Sequence, residues 1–202
     1  NIMFPADGAQ KSASLKAAEN FRLAGKFSDA VNEYEKHLKT VKAPAEQMRV
    51  LRLISASAVK ASNGSVALNA LERLSKLVRQ PDEVIGVQFE LMTVYQKLGR
   101  DDLSRKSAGV IVASKPSTPE GFKYQAKARF IIGRFDAPAL RARQIMSQKD
   151  LKVALQSLFT EYEKVKASLL SPCEIPGVDW CVLGYYEASR LAGDLGKMLL
   201  NV

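Results

Sequence analysis

A 37-residue echo runs through the first half of the chain. Gly25 recurs as Gly99, which lies 74 residues or two periods later. Three further sets of positions keep the same register: Phe21, Ala58 and Tyr95; Ala30, Ala67 and Ser104; Tyr34, Leu71 and Ala108. A fixed period of about 30 to 50 residues in a helix-forming sequence is typical of stacked helical repeats. The echo therefore predicts an all-α superhelix that presents a concave surface to a partner.

The period and the turn residues divide this single predicted domain into segments. We expect the following order: a loose lead-in over 1–10, helical hairpins over 11–44, 45–81 and 82–118, and a divergent repeat with a cap over 119–202. Pro44 and Pro81 suit helix starts, where the missing N–H costs nothing. Asn63 with Gly64, and Gly99, mark the turns of the second and third hairpins.

The 37-residue register fades after Pro119, where longer helices follow. We expect a helix over 121–135, a break at Asp136–Pro138 and a short helix over 139–146. Ser147, with Asp150 three residues on, resembles a capping box that opens a long helix to about Leu170. The last helix is predicted over 178–200.

The first hairpin resembles the tetratricopeptide repeat (TPR), whose helices alternate small and aromatic residues around a turn glycine. The matching positions are Ala18, Phe21, Gly25, Phe27, Ala30 and Tyr34. Small residues let two helices approach closely, and large residues fill the gaps beside them. The last helix, with Trp180, Leu183 and Gly184, is similar to the family's W-x-x-L-G signature. The resemblance implies a TPR-like α-α superhelix of about four hairpins with a longer, divergent C-terminal pair.

The second half weakly resembles the envelope-associated TPR proteins of gliding and predatory bacteria. The resemblance rests on the long helix after Ser147 and on the segment "DWCVLGYYEASRLAGDL". Such chains are non-catalytic parts of assemblies. The resemblance implies a protein-interaction scaffold in a bacterial envelope assembly, and no enzyme.

In a TPR stack, the first helix of each hairpin lines the concave surface, so the resemblance implies which residues contact a partner. The polar positions on those helices are Asn20, Arg49, Arg52, Lys60, Gln88, Gln96, Lys123 and Lys127. A groove lined by basic and amide side chains suits an extended acidic peptide or a free carboxylate, which Arg and Lys hold by charge-assisted hydrogen bonds. We therefore expect a protein or an acidic peptide as the partner.

The chain carries a net charge of +9, and residues 101–150 hold ten Lys and Arg against five Asp and Glu. A basic middle can attract nucleic acid, anionic lipid or an acidic partner, and it can also be a set of solvated helix faces. No nucleic-acid reader motif is present in the sequence, and no apolar run is long enough to cross a bilayer. We expect neither nucleic-acid binding nor membrane insertion.

Cys173 and Cys181 are the only cysteines, and both lie in one short segment around a Pro-Gly turn. We expect them to form a disulfide, which would stabilise by about 2–3 kcal/mol in the loop-entropy model. A disulfide implies an oxidising compartment such as a periplasm. Two unrelated thiols in a cytoplasmic protein are the alternative. The chain opens on Asn1, and we expect that a targeting segment has been removed ahead of it.

Catalytic signals are weak in this sequence. His37 is the only histidine and suits a core or groove position, and no cysteine pair has the spacing of a metal site. We expect no metal and no cofactor. Two rivals to the binding scaffold remain open: a helical enzyme with a groove active site, and a self-associating structural module. The apolar end of the last helix, "KMLLNV", would suit a homo-oligomer.

Overall fold

The computed structural model describes residues 6–141, 151–175 and 180–200. The chain divides into two compact units, Asn1–Arg100 and Asp101–Val202. The described residues of the first unit form α1 (Ala6–Leu23), α2 (Phe27–Leu38), α3 (Pro44–Lys60), α4 (Gly64–Ser75) and α5 (Pro81–Lys97). Those of the second unit form α6 (Asp101–Ala113), α7 (Pro119–Arg141), α8 (Leu151–Leu170), a 3₁₀ turn (Ser171–Glu174) and α9 (Trp180–Leu200).

The described secondary-structure elements are all helices, with no strand among the described residues, so the predicted all-α class is confirmed. In the first unit, each helix packs against the next one in sequence, from α1 to α5. In the second unit, α7 packs against α6, α8 and α9. α1 begins at Ala6, within the segment over 1–10 that was predicted to be a loose lead-in.

Several positions of the 37-residue echo lie in the core of the first unit. Ala30, Ala67, Tyr34 and Leu71 have no exposed surface, and Ala58 is equally buried. Small residues at these positions let neighbouring helices approach, while the tyrosine and the leucine fill the space between them. The echo in the sequence is therefore a repeated pattern of helix contacts.

Glycines and capping residues set the helix ends of the first unit. Gly25 and Gly99 have φ values of +74° and +66°, the left-handed region that ends a helix and favours glycine. The predicted turn at Asn63 and Gly64 is built differently. Ser62 takes the left-handed conformation, and the Asn63 side chain caps α4 by accepting a hydrogen bond from the Val66 N–H.

Gly64 is the first residue of α4, and its role is steric. A Cβ at this position would lie 2.7 Å from the side chain of Leu98, so the absence of a side chain lets Leu98 pack over the start of α4. The two residues therefore join the beginning of α4 to the end of α5.

The predicted break at Asp136–Pro138 is wrong, because α7 continues through Pro138 to Arg141. Ala137 and Leu140 are buried, and Asp136 forms an ion pair with Arg105 on α6. These contacts outweigh the backbone hydrogen bond that a proline removes inside a helix, which costs roughly 3 kcal/mol. Residues 139–141 of the predicted short helix belong to α7, and its remainder lies outside the described residues. Ser147 and Asp150, the predicted capping pair, also lie outside them.

Tyr34 provides a test of the packing in the first unit. Its side chain has no exposed surface, and its hydroxyl has no hydrogen-bond partner among the described residues. We expect Tyr34→Ala to lower the free energy of unfolding by about 3–5 kcal/mol, because removal of a large aromatic side chain leaves a cavity. The measurement is urea unfolding followed by circular dichroism.

Tyr34→Phe is the matched control, since it removes only the hydroxyl and keeps the ring. We expect its stability to lie within about 1 kcal/mol of the wild type, because no hydrogen bond to a described residue is lost. A Tyr34→Ala variant as stable as Tyr34→Phe would contradict the role of the ring in filling the core.

Candidate protein-interaction site

The structure distributes the eight sequence-predicted contact residues over both units. Asn20, Arg49, Arg52, Lys60, Gln88 and Gln96 belong to the first unit, and Lys123 and Lys127 belong to the second. Gln88, Gln96 and Lys127 are partly buried, and the other five are exposed. Several of the cations are engaged within the chain, which changes what they offer to a partner.

Arg49 is held by Glu46 one turn earlier on α3. Its Nε and one terminal nitrogen donate to the two carboxylate oxygens at 2.9 and 2.8 Å. The hydrogen bond from Arg49 lowers the pKa of Glu46, and burial opposes the effect in part. A guanidinium in a bidentate pair of this kind is less available to an incoming carboxylate. Arg49 therefore already has a carboxylate partner on its own helix, although its side chain is half exposed.

Glu46 also faces the buried His37 of α2. His37 Nε2 lies 3.7 Å from a Glu46 carboxylate oxygen, and Nδ1 lies 3.4 Å from the Ser14 hydroxyl of α1. His37 is 5% exposed, so of the two predicted positions, core or groove, it occupies the core. The imidazole thus links polar groups of α1, α2 and α3.

Two of the predicted lysines lie over aromatic rings. Lys60 Nζ is 5.2 Å from the centroid of Phe27, and Lys127 Nζ is 4.1 Å from the centroid of Trp180. Such contacts attract the ammonium group to the negative face of the ring. Burial lowers the pKa of Lys127. Lys127 therefore helps to join α7 to the start of α9, whereas Lys60 remains exposed.

A cleft of about 350 Å³ lies between α3 and α5 in the first unit. One wall comes from α3, with Ala56, Val59 and Lys60, and the other from α5, with Phe89, Val94 and Lys97. Ser55, Glu90 and Thr93 complete the lining. The cleft therefore combines an apolar surface with two lysines, each at the last residue of its helix.

Lys60 is the one sequence-predicted contact residue that lines this cleft. The sequence reasoning missed Phe89, Thr93 and Lys97, which follow one another at intervals of four along α5. Residues four apart on a helix share a face, so this spacing was a usable signal. Arg52 lies outside the lining but close enough to Glu90 to influence its titration.

Glu90 gives the cleft an unusual carboxyl group. Although Glu90 is exposed, the surrounding protein removes much of its hydration and raises its pKa, while Arg52 lowers the pKa in part. Desolvation disfavours the charged form of a carboxyl group. The charged form of Glu90 is therefore disfavoured within the cleft, even though its side chain is exposed.

Cys173 and Cys181 lie at disulfide distance, with their Cα atoms 4.5 Å apart. The pair connects the 3₁₀ turn to the first turn of α9, as the sequence predicts. Within the described part of the chain, no group of three or more His, Cys, Asp or Glu side chains is placed to hold a metal ion. None of the described helices is long and apolar enough to cross a membrane.

Comparison with known proteins does not assign the chain to a family. No family model matches the chain, and no curated protein matches it. The cleft and the packing of the helices are therefore the basis for a functional interpretation.

Glu90→Gln tests the electrostatics of the cleft. Above its folded-state pKa, the charged Glu90 disfavours folding. Below its unfolded-state pKa of about 4.3, both states carry the proton and the effect disappears. We expect Glu90→Gln to unfold at a higher urea concentration than the wild type at pH 7. The two midpoints should converge as the pH falls to about 4.

The same comparison is made in a protein that also carries Arg52→Gln. Since Arg52 lowers the pKa of Glu90, its removal should enlarge the stabilisation that Glu90→Gln gives at pH 7. A Glu90→Gln variant less stable than the wild type at pH 7 would show that attraction to Arg52 outweighs the loss of hydration.

Proposed function

We propose that this protein is a non-catalytic protein-interaction module, and that the α3–α5 cleft binds an extended segment of a partner. The observation that carries the proposal is the combination of surfaces in that cleft. Ala56, Val59 and Phe89 offer apolar area, and Lys60 and Lys97 supply two positive charges at one end. An extended peptide with apolar residues and a nearby carboxylate matches this arrangement.

The physical basis is a division of roles within the cleft. Burial of apolar side chains supplies the favourable free energy, at roughly 25 cal/mol per Å². The lysines orient the peptide and select for acidic residues, since charge at the rim of a site governs specificity and association rate. Glu90 lies in the same lining and disfavours a second carboxylate beside it. The charge pattern thus favours one direction of the bound chain.

The resemblance to the TPR family supports the same location. α3 and α5 are the first helices of the second and third predicted hairpins, and in that family the first helices line the ligand surface. We propose a TPR-like arrangement for the first unit on this basis. Of the eight residues implied by the resemblance, Lys60 lines the cleft, and Arg52 lies close enough to Glu90 to affect its pKa.

We further propose an extracytoplasmic setting, such as the periplasm, within a bacterial envelope assembly. The support is the Cys173–Cys181 pair, because disulfides persist in oxidising compartments. The resemblance of the second half to envelope-associated proteins points to the same setting. A self-associating structural module is the second candidate function, and the exposed face of α9 favours it.

Charge reversal at the cleft tests the binding role. Peptides are selected from a random display library against the wild-type protein, and we expect them to combine apolar and acidic residues. Lys60→Glu with Lys97→Glu should weaken their binding roughly tenfold or more, because two attractive charges become repulsive. Fluorescence anisotropy with labelled peptides measures the affinity.

Lys39→Glu with Lys76→Glu is the matched control. Both of these lysines are exposed and follow the last residues of α2 and α4, outside the cleft. We expect this pair to change peptide affinity by less than about twofold. Equal losses of peptide affinity in the two double variants would contradict binding in the cleft. They would show only a general attraction of acidic peptides to the basic surface.

The state of the cysteines tests the proposed compartment. We expect mass spectrometry without reductant to find a peptide cross-linked through Cys173 and Cys181 in protein isolated from its native source. The same sample after reduction is the control, and it should show both thiols alkylated. Complete alkylation before reduction would contradict the oxidising compartment while leaving the cleft proposal standing.

A further inference from the structure

The charges of the α3–α5 cleft are separated along its length. Glu90 and Lys97 both line the cleft and are seven residues apart on α5, which is about two turns of an α-helix. They therefore lie on one side of α5, about 10.5 Å apart along its axis. The cleft thus has an acidic end at Glu90 and a basic end at Lys97.

Lys60 belongs to the basic end of the cleft. A neighbouring pocket of about 260 Å³ is lined by Val59 and Ser62, around the end of α3, and by Lys97 and Leu98, around the end of α5. The two helices therefore end beside each other. Lys60 and Lys97 are their last residues, so both lysines lie at the same end of the cleft.

Among the described residues that line the cleft, Glu90 is the only carboxylic acid. Its side chain is exposed, and it forms no ion pair with a described residue. Arg52 of α3 acts on Glu90 through its charge alone and from outside the lining. Burial raises the pKa of Glu90, and Arg52 opposes this effect only in part. The acidic end therefore holds a negative charge that the chain compensates incompletely.

The rest of the lining is mainly apolar. Ala56 and Val59 of α3 and Phe89 of α5 supply this surface. Thr93 also belongs to the lining, but its hydroxyl donates to the Phe89 carbonyl oxygen at 2.9 Å, so its proton is already used within α5. A ligand that lies along the cleft therefore meets a negative charge, an apolar surface and a pair of positive charges.

We propose that Glu90 is a specificity-determining residue of this cleft, and that the bound segment carries a basic side chain three residues from an acidic one. The basic side chain pairs with Glu90, and the acidic side chain pairs with Lys60 and Lys97. Apolar residues lie between them. This inference rests on the proposed function, because it assigns a charge pattern to the peptide that the cleft is proposed to bind.

The reason for a basic group is the cost of leaving Glu90 unpaired beneath a ligand. An apolar residue over Glu90 removes water from the carboxylate without replacing it, and an acidic residue adds repulsion. A Lys or Arg side chain replaces the lost hydration with a charge-assisted hydrogen bond. Glu90 therefore rejects unsuitable segments as well as attracting suitable ones, and specificity often depends on both effects.

The spacing of three residues follows from the separation of the charges. A polyproline II helix has three residues per turn, so side chains three apart lie on one side, about 9.3 Å from each other. This distance is close to the separation of Glu90 and Lys97 along α5. In a β-strand, side chains on one face are about 6.6 or about 13 Å apart, which matches less well. In the polyproline II form, the two intervening side chains point to the two walls, which hold Ala56 and Phe89.

Selection of peptides provides the first test. Random peptides are displayed and selected in parallel against the full wild-type chain, Glu90→Gln and Glu90→Lys. We expect the wild type to enrich Lys or Arg three residues from Asp or Glu. Glu90→Gln should lose this enrichment, and Glu90→Lys should select an acid at the same position. Because Glu90 is exposed, both substitutions should leave the helical circular dichroism signal unchanged.

A double-mutant cycle provides the second test. A peptide selected on the wild type is synthesised with lysine at the basic position, and again with norleucine, which keeps the aliphatic chain and lacks the ammonium group. We expect norleucine to weaken binding to the wild type roughly fivefold or more, and to Glu90→Gln by less than about twofold. Fluorescence anisotropy measures the four affinities.

Glu83→Gln is the matched control for Glu90→Gln. Glu83 also belongs to α5 but lies outside the lining of the cleft. The Glu83→Gln protein should lose as much affinity with the norleucine peptide as the wild type does. Arg52→Gln should enlarge the loss, because Glu90 then lacks the positive charge that compensates it in part.

The outcomes separate this inference from the proposed function. Some selected peptides could lose affinity in the Lys60→Glu, Lys97→Glu double variant and yet show no basic enrichment. That result overturns the role of Glu90 and leaves the cleft as the peptide site. An equal norleucine effect on the wild type and Glu90→Gln does the same, as does enrichment at a spacing other than three. Peptides whose affinity the double variant leaves unchanged overturn both proposals.

Discussion

The close approach of helices at buried alanines is the constraint on which the first unit depends. Ala18, Ala30, Ala58 and Ala67 have no exposed surface, and each marks a place where a larger side chain would separate two helices. Tyr34 supplies the bulk that these alanines omit. Because α4 packs against both α3 and α5, it holds the two walls of the cleft. The shape of the candidate site therefore follows from the core.

Much of this core could be predicted from sequence, because the physical signals are local or periodic. Gly25 and Gly99 end their helices in the conformation that glycine favours, and the alanines recur at a fixed spacing. The break predicted at Pro138 failed for the opposite reason. The ion pair of Asp136 with Arg105, 31 residues away, and the burial of Ala137 are tertiary contacts that local turn signals do not contain.

The candidate site was less predictable, because helix periodicity shows on which face of a helix a side chain lies but not which residue it contacts. The sequence predicts Arg49 and Lys127 as ligands for a partner. The structure places Arg49 on Glu46 and stacks Lys127 on Trp180, which is far away in sequence. Phe89 and Lys97 share a face of α5 and could have been found together by their spacing. The stripe of core residues on the same helix obscured them.

Charged residues have different roles in the α3–α5 cleft and on α9. In the α3–α5 cleft, Lys60, Lys97 and Glu90 lie beside apolar side chains, so the proposed ligand would be selected by its sequence of charges. On α9, Glu187 and Asp194 lie beside the Arg141 guanidinium, whereas Arg190 and Lys197 are exposed. Charge on α9 therefore contributes to the packing of α7 against α9, and in the proposed cleft it would contribute to the selection of a ligand.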